Sequence, residues 1–113
     1  MRKSPRITFD MVRHLASSFP RVEEGTSYGT PALKVKGKLF VRLKEDTDVI
    51  VVKMPFDLRE GLMAEAPETY FITDHYLNYE WVLVRLSKVS EEALRELLQI
   101  AYREASRSKS RRA

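Results

Sequence analysis

The length, composition and charge of this chain exclude several kinds of protein before any motif is considered. Its 113 residues, 43% of them apolar, suffice for one domain with its own hydrophobic core. The chain contains no cysteine, which excludes disulfides, thiolate metal sites and a cysteine nucleophile. It also has no apolar run long enough to cross a membrane. We therefore expect a single cytoplasmic domain over residues 1–113 that needs no cofactor.

The net charge of +4 is unevenly distributed along the chain. Residues 103–113 contain five basic side chains and one acidic one, so this segment alone accounts for +4. Residues 7–102 contain 12 basic and 15 acidic side chains and are mildly acidic. Within them, the stretch KVKGKLFVRLK at 34–44 has five basic residues and no acidic one. A negatively charged partner would therefore be attracted to one part of the domain and to the C-terminal tail.

The predicted structure begins with an amphipathic helix followed by a loop. Apolar residues recur at spacings of three and four from Phe9 to Phe19, with Thr8 as the expected N-cap and Pro20 as the stop. The next segment, RVEEGTSYGTP at 21–31, contains two glycines and a proline, which predicts a loop.

Three strands are predicted next. Apolar and basic residues alternate over 33–36 and 39–44, which indicates a hairpin, and the nearly continuous apolar run at 49–54 is typical of a central strand. We expect Gly37 to provide the left-handed residue of a three-residue hairpin loop. The cations of this hairpin would then divide between one side and the tip. The side would carry Lys34, Arg42 and Lys44 with Phe40 among them, and the tip would be flanked by Lys36 and Lys38.

The second half of the chain predicts a helix, two strands and a final helix. Apolar spacing from Leu58 to Ala66 indicates a short helix, and TYFIT and YEWVLVRL indicate two strands. Ser90 is the expected N-cap of the final helix, which leads into a basic tail that we expect to be disordered from about residue 106. The order α-β-β-β-α-β-β-α predicts a two-layer α+β domain in which helices pack on an antiparallel sheet.

No motif on this scaffold indicates catalysis. The two histidines lie far apart in the sequence and lack metal-ligand spacing, and no glycine-rich phosphate loop is present. Paired glutamates occur in a predicted loop and at a helix start, where solvated structural roles are usual. We therefore expect no catalytic residue and no metal.

An aromatic-rich segment, YFITDHYLNYEW at 70–81, is the most distinctive local feature. Its rings either complete a small core on two strands or form a surface that stacks on a ligand or partner. Its histidine is the side chain best suited to proton chemistry near neutral pH. The candidate ligand or partner surface consists of Tyr28, His75, Tyr76, Tyr79 and Trp81.

Three segments together resemble the MmcQ/YjbR family of small bacterial and archaeal proteins. They are F..V..L...FP.VEE...YGTPALKVKGKLFVRL, VVKMP and WVLVRLSKVSEEALRELLQIAYR, and they extend from Phe9 to Arg103. The resemblance is spread over many positions and is not concentrated in a catalytic signature. It implies a helix, three strands, a helix, two strands and a helix, similar to secretion-chaperone and frataxin-like domains. That order agrees with the one predicted from periodicity.

Members of this family are commonly described as DNA-binding, and the resemblance implies phosphate contacts at Gly37, Lys38, Arg42 and Lys53. The mildly acidic domain and the absence of a basic recognition helix predict weak binding without base readout. The complete set of predicted nucleic-acid contacts is Lys34, Lys36, Lys38, Arg42, Lys44, Lys53, Arg107, Lys109, Arg111 and Arg112.

Three functions thus remain open at the level of sequence. The first is non-enzymatic, low-specificity DNA binding through the hairpin and the tail. The second is a protein-interaction module in which the sheet or the aromatic segment holds a partner. The third is an enzyme or small-molecule binder centred on His75, Tyr28 and Lys53, which requires a concave pocket that joins those side chains.

Overall fold

The computed structural model describes residues 7–27, 29–44 and 48–107, and it has the α+β architecture expected from the sequence. Within these residues the helices are α1 (Phe9–Ala16), α2 (Phe56–Glu65) and α3 (Glu91–Arg107). The strands are β1 (Val22–Ser27), β2 (Thr30–Val35), β3 (Lys38–Leu43), β4 (Val49–Lys53), β5 (Tyr70–Phe71) and β6 (Trp81–Arg85). A short 3-10 helix, Asp74–Tyr76, lies between β5 and β6.

The described strands form one antiparallel sheet in the order β1-β2-β3-β4-β6-β5. Strand β4 has a neighbour on both sides, and its residues from Val49 to Val52 are buried. The apolar run at 49–54 therefore does form a central strand, as the sequence predicts, because side chains on both of its faces must be covered.

The helices cover one face of the sheet, which we call the inner face. Helix α3 packs across β2, β3 and β4, and α1 packs against α3. Residues from the sheet and from α3, such as Val35, Ile50, Val84 and Leu98, join in one buried cluster. The opposite face, which we call the outer face, carries a smaller cluster.

The helix ends agree in part with the sequence. The Ser90 hydroxyl accepts a hydrogen bond from the Ala93 amide at 3.1 Å, which confirms the N-cap of α3. Thr8 precedes α1 as expected, but its side chain makes no capping hydrogen bond. Helix α3 continues to Arg107, so the expected start of the tail at residue 106 lies inside the helix.

Strand β1 replaces the loop that the sequence predicts at 21–31. Its side chains are mostly exposed and polar, and Gly25 interrupts any alternation. The strand is held by backbone pairing with β2, by Val22 against the core, and by a 3.4 Å ion pair between Glu24 and Arg13 of α1. An edge strand of this kind has no hydrophobic period, because it buries little of either face.

The β2–β3 hairpin also differs from the prediction. Its turn contains two residues, Lys36 and Gly37, with φ of 55° and 76°, and positive φ at both positions is typical of a type I′ turn. A bulge restores the apolar register, since Leu39 pairs with Lys34 but Val41 pairs with Leu33. The extra residue is Phe40.

Phe40 consequently belongs to the inner core and does not stand among the cations. Its side chain is fully buried, and its ring meets the edge of Tyr102 on α3 at 5.8 Å. The expectation that Phe40 shares a surface with Lys34, Arg42 and Lys44 is therefore wrong, because the bulge turns it towards the helices.

The backbone of the hairpin turn yields a testable prediction. Gly37→Ala is expected to lower the free energy of unfolding by about 1–2 kcal/mol, because an L side chain is disfavoured at positive φ. No atom lies within 4 Å of the added methyl group, so the cost is conformational and not a clash. Urea denaturation followed by circular dichroism measures it.

Gly25→Ala is the matched control, since its added methyl group also meets no atom within 4 Å and its φ is not positive. Its stability should stay within about 0.5 kcal/mol or rise slightly. Equal losses in the two variants would contradict the left-handed turn.

Candidate functional site

One row of cross-strand neighbours runs over the outer face from edge to edge. Side chains directly opposite each other in a sheet share a face. Followed from β1 to β5, the paired residues are first small, then charged, then apolar and finally aromatic. The row consists of Gly25, Ala32, Arg42, Val51, Leu83 and Phe71. Arg42 is its only cation.

Aromatic rings cover the apolar part of this row. Val49, Val51 and Leu83 form the outer cluster, against which Phe71, Tyr76 and Trp81 pack. The structural interpretation of the aromatic segment, that its rings complete a small core on two strands, therefore holds for these rings.

Cations flank the same rings. The Lys53 ammonium lies 5.2 Å from the centre of the Trp81 ring, and the Arg85 guanidinium lies 4.1 Å from the centre of the Phe71 ring. Both separations lie within the range of a cation–π interaction. The outer face thus combines positive charge with aromatic surface.

A pocket of about 250 Å³, which we call the outer pocket, lies at the centre of this surface. The Arg42 guanidinium donates a hydrogen bond of 2.8 Å to the Tyr76 hydroxyl, and the His75 and Tyr76 rings meet edge to face at 4.7 Å. The Tyr79 side chain is 60% exposed at the rim. The residues that line the outer pocket are Leu39, Arg42, Val51, His75, Tyr76, Tyr79 and Trp81.

Arg59 of α2 holds the loop that carries these aromatic residues. Its guanidinium donates to the backbone carbonyls of Tyr76 (3.0 Å), Leu77 (3.0 Å), Tyr79 (2.7 Å) and Trp81 (3.1 Å). The residue is only 2% exposed, and no carboxylate takes part in these bonds. The conformation of residues 76–81 therefore depends on one buried cation.

The sequence analysis missed Arg59, although a signal for it exists. Its position lies three, four and seven residues before Leu62, Met63 and Ala66, which places it on the apolar stripe of α2. A charged residue on such a stripe must find buried polar partners. Its partners belong to a loop that begins seventeen residues later. Periodicity does not reveal such a contact.

The structure brings together about half of the predicted site residues. Arg42, His75, Tyr76, Tyr79 and Trp81 line one pocket, with Lys53 beside it. Lys34 lies opposite Leu39, a residue of the same pocket, and therefore shares the outer face. Lys44 lies two residues after Arg42 and therefore also lies on the outer face, because alternate residues of a strand share a face.

The other predicted cations lie elsewhere. Lys36 Nζ donates to the Ser106 carbonyl at the end of α3, at 3.4 Å. Lys38 pairs with the buried Val35 and therefore faces the helix layer. Arg107 forms a 2.8 Å ion pair with Glu104. The five hairpin cations thus do not form a single surface. Outside the described residues lie Tyr28, Lys109, Arg111 and Arg112.

Two further observations concern metals and membranes. In the parts of the chain that the structure describes, histidine, aspartate and glutamate nowhere form a group of three or more that could hold a metal ion. Across residues 7–27, 29–44 and 48–107, no helix has both the length and the apolar character needed to cross a membrane.

An antiparallel sheet with helices on one face defines a small α+β domain. The family model named YjbR matches residues 17–104, and the chain belongs to that family. Among curated proteins, none matches the chain.

A solved structure shows the same fold. The crystal structure of Deinococcus radiodurans protein DR2400, with the family-model domain DUF419, is similar to this chain with a TM-score of 0.75 and 24% sequence identity. The similarity covers 89% of this chain and 80% of that one. This similarity confirms the expected fold class, and the family-model match confirms the expected family.

Removing the Arg59 guanidinium is expected to destabilise the protein and to loosen residues 76–81. Arg59→Met should lower the free energy of unfolding by about 3 kcal/mol, because hydrogen bonds to a charged group are lost and the carbonyls they satisfied remain part-buried. Since Trp81 is the only tryptophan, its fluorescence reports both unfolding and the loosening of this loop.

The control is Arg95→Met, which removes an exposed cation that is paired at 3.2 Å with Glu91. It should change stability by less than about 0.5 kcal/mol. A similar small effect of Arg59→Met would show that the carbonyls do not depend on the guanidinium.

Proposed function

We propose that this protein is a non-enzymatic, low-specificity DNA-binding protein that contacts DNA with its outer face. The observation that carries the proposal is the outer pocket, where the Arg42 guanidinium, hydrogen-bonded to Tyr76 at 2.8 Å, lies among exposed and part-buried aromatic rings. A phosphate-binding group beside a stacking surface is the combination that nucleic-acid strands require. Such a role would also place the protein in the cytoplasm, as expected from the sequence.

Single strands should bind more tightly than duplex. Tyr79, which is 60% exposed, offers a ring on which an unpaired base can stack, whereas the bases of a duplex are already stacked on one another. The phosphates would be contacted by Arg42 and its outer-face neighbours Lys34, Lys44 and Lys53. None of the three helices in the described residues is rich in cations for the major groove, so base sequence would have little influence.

The affinity should be modest and sensitive to salt. Four phosphate contacts on a single strand predict that log K falls with log salt concentration at a slope of about −3. The 15 acidic side chains of residues 7–102 oppose binding at longer range, because they exceed the 12 basic ones.

A small-molecule ligand is the second candidate function. The outer pocket places a guanidinium, a histidine and several rings around about 250 Å³, slightly below the usual range for ligand pockets. His75 and Trp81 both line this pocket. Lys53 does not line it, but its ammonium lies 5.2 Å from the centre of the Trp81 ring. Competition by free nucleoside monophosphates against a labelled DNA strand would reveal whether the pocket accepts such a ligand alone.

Fluorescence anisotropy with labelled single-stranded and duplex DNA tests the proposed function. Arg42→Glu should weaken single-strand binding at least about tenfold, because it removes one phosphate contact and adds a repulsive charge. Tyr79→Ala should weaken it about five- to tenfold through the loss of stacking, with little effect on folding because this side chain is 60% exposed. Circular dichroism confirms that each variant is folded.

Two controls separate the outer face from the hairpin as a whole and from the tail. Lys38→Glu makes the same charge change on the helix side of the hairpin and should reduce affinity no more than about threefold. Truncation after Arg107 removes the residues beyond α3 and should retain most binding. If the truncated chain alone loses affinity, or if Lys38→Glu and Arg42→Glu lose it equally, the outer face is not the DNA-binding surface.

A further inference from the structure

A second concave surface lies between α2 and α3, in the helix layer. We call it the helix groove, and its volume is about 510 Å³. Helix α2 packs on β5 and β6, whereas α3 packs on β2, β3 and β4, so the two helices diverge and leave this space between them. The groove has an apolar floor and sides, formed by Met54, Leu58, Leu62, Ala66, Tyr70, Ala93, Leu97 and Ile100.

The charge of the helix groove has one sign. Asp57, Glu65 and Glu96 contribute to its lining, and that lining contains no lysine, arginine or histidine. The negative charge also acts on Tyr70 in the lining. The pKa of Tyr70 is raised by burial and additionally by Glu65 and Glu96. A cationic ligand would therefore be favoured over a neutral or anionic one.

Gly61 lines the α2 side of the groove and, having no side chain, leaves that side open. It occupies the interior of α2, where glycine costs helix stability relative to alanine. Apart from its chain neighbours and the backbone of α2 itself, no heavy atom lies within 4 Å of a Cβ placed there, and its φ is not positive, so neither packing against other elements nor backbone conformation accounts for glycine. Leu58, one turn away on the same wall, is 45% exposed.

We propose that the helix groove binds a cationic amphipathic helix of a partner protein. Apolar side chains of that helix, at i, i+3, i+4 and i+7, would pack on Leu58, Leu62 and Ile100, as in other helix-in-groove complexes. Its lysines or arginines would lie at the rim, against Glu65 and Glu96. This interaction is independent of the proposed DNA binding, because the groove and the outer face lie on opposite sides of the sheet.

A synthetic peptide of leucine and lysine, with leucines at i, i+3, i+4 and i+7, serves as the probe for the full-length chain. Saturable binding in fluorescence anisotropy is expected, with amide chemical-shift changes that concentrate on α2 and the first half of α3. A scrambled peptide of the same composition should bind at least about tenfold more weakly, because it cannot present one apolar face. Equal binding by the scrambled peptide would overturn the proposal.

Gly61→Leu tests the apolar part of the groove. The added side chain enters open space, and leucine favours a helix, so the variant should be at least as stable as the parent. Peptide binding should be lost because the groove is filled. Gly61→Ala, which adds only a methyl group, should bind the peptide within about threefold of the parent. Unchanged peptide affinity in Gly61→Leu would overturn the proposal.

A pair of double variants tests the charge. Glu65→Gln with Glu96→Gln should weaken binding about tenfold, while Glu91→Gln with Glu92→Gln changes the net charge equally at the start of α3, outside the groove. This second pair should have little effect. Equal losses of peptide affinity in the two double variants would show that the peptide is attracted by net charge and does not bind specifically in the groove. Sedimentation analysis completes the test, since a dimer abolished by Gly61→Leu would identify a second copy of this chain as the occupant and would overturn the proposal of a cationic partner helix.

Discussion

The outer face of this protein depends on one buried cation. The Arg59 guanidinium gathers four backbone carbonyls between Tyr76 and Trp81, at distances from 2.7 to 3.1 Å. Burial of a charge is costly unless polar groups replace the water around it. Here the backbone carbonyl oxygens take the place of most of the water that would surround the guanidinium. A single planar donor group thereby fixes the segment that carries Tyr76, Tyr79 and Trp81 over the sheet. The outer pocket lies between this segment and Val51.

Helix α2 consequently serves both candidate surfaces. Arg59, on one side of the helix, positions the loop of the outer pocket, whereas Gly61 and Glu65 line the helix groove. Arg59 thereby anchors α2 to residues 76–81, which lead into β6.

Periodicity predicted the parts of the fold that bury a regular face. It identified the central strand at 49–54 and the N-cap Ser90, because each follows a local rule. It missed β1, whose stability comes from backbone pairing at a sheet edge. It also misplaced Phe40, because a bulge in the β2–β3 pairing shifts the register by one residue. The clustering of Arg42 with His75 lies beyond any local pattern, since 32 residues separate them in the chain.

The distribution of charge distinguishes the two surfaces. The sequence showed a basic stretch at 34–44 in a mildly acidic domain, and the structure divides that stretch between two sides of the sheet. The outer face keeps Arg42 and the cations beside the aromatic rings, whereas the helix groove presents Glu65 and Glu96. A polyanion approaching this dipolar domain is attracted to the outer face and repelled by the groove, and a cationic helix experiences the reverse. The two proposed ligands, DNA and a basic helix, therefore differ in charge as the two surfaces do.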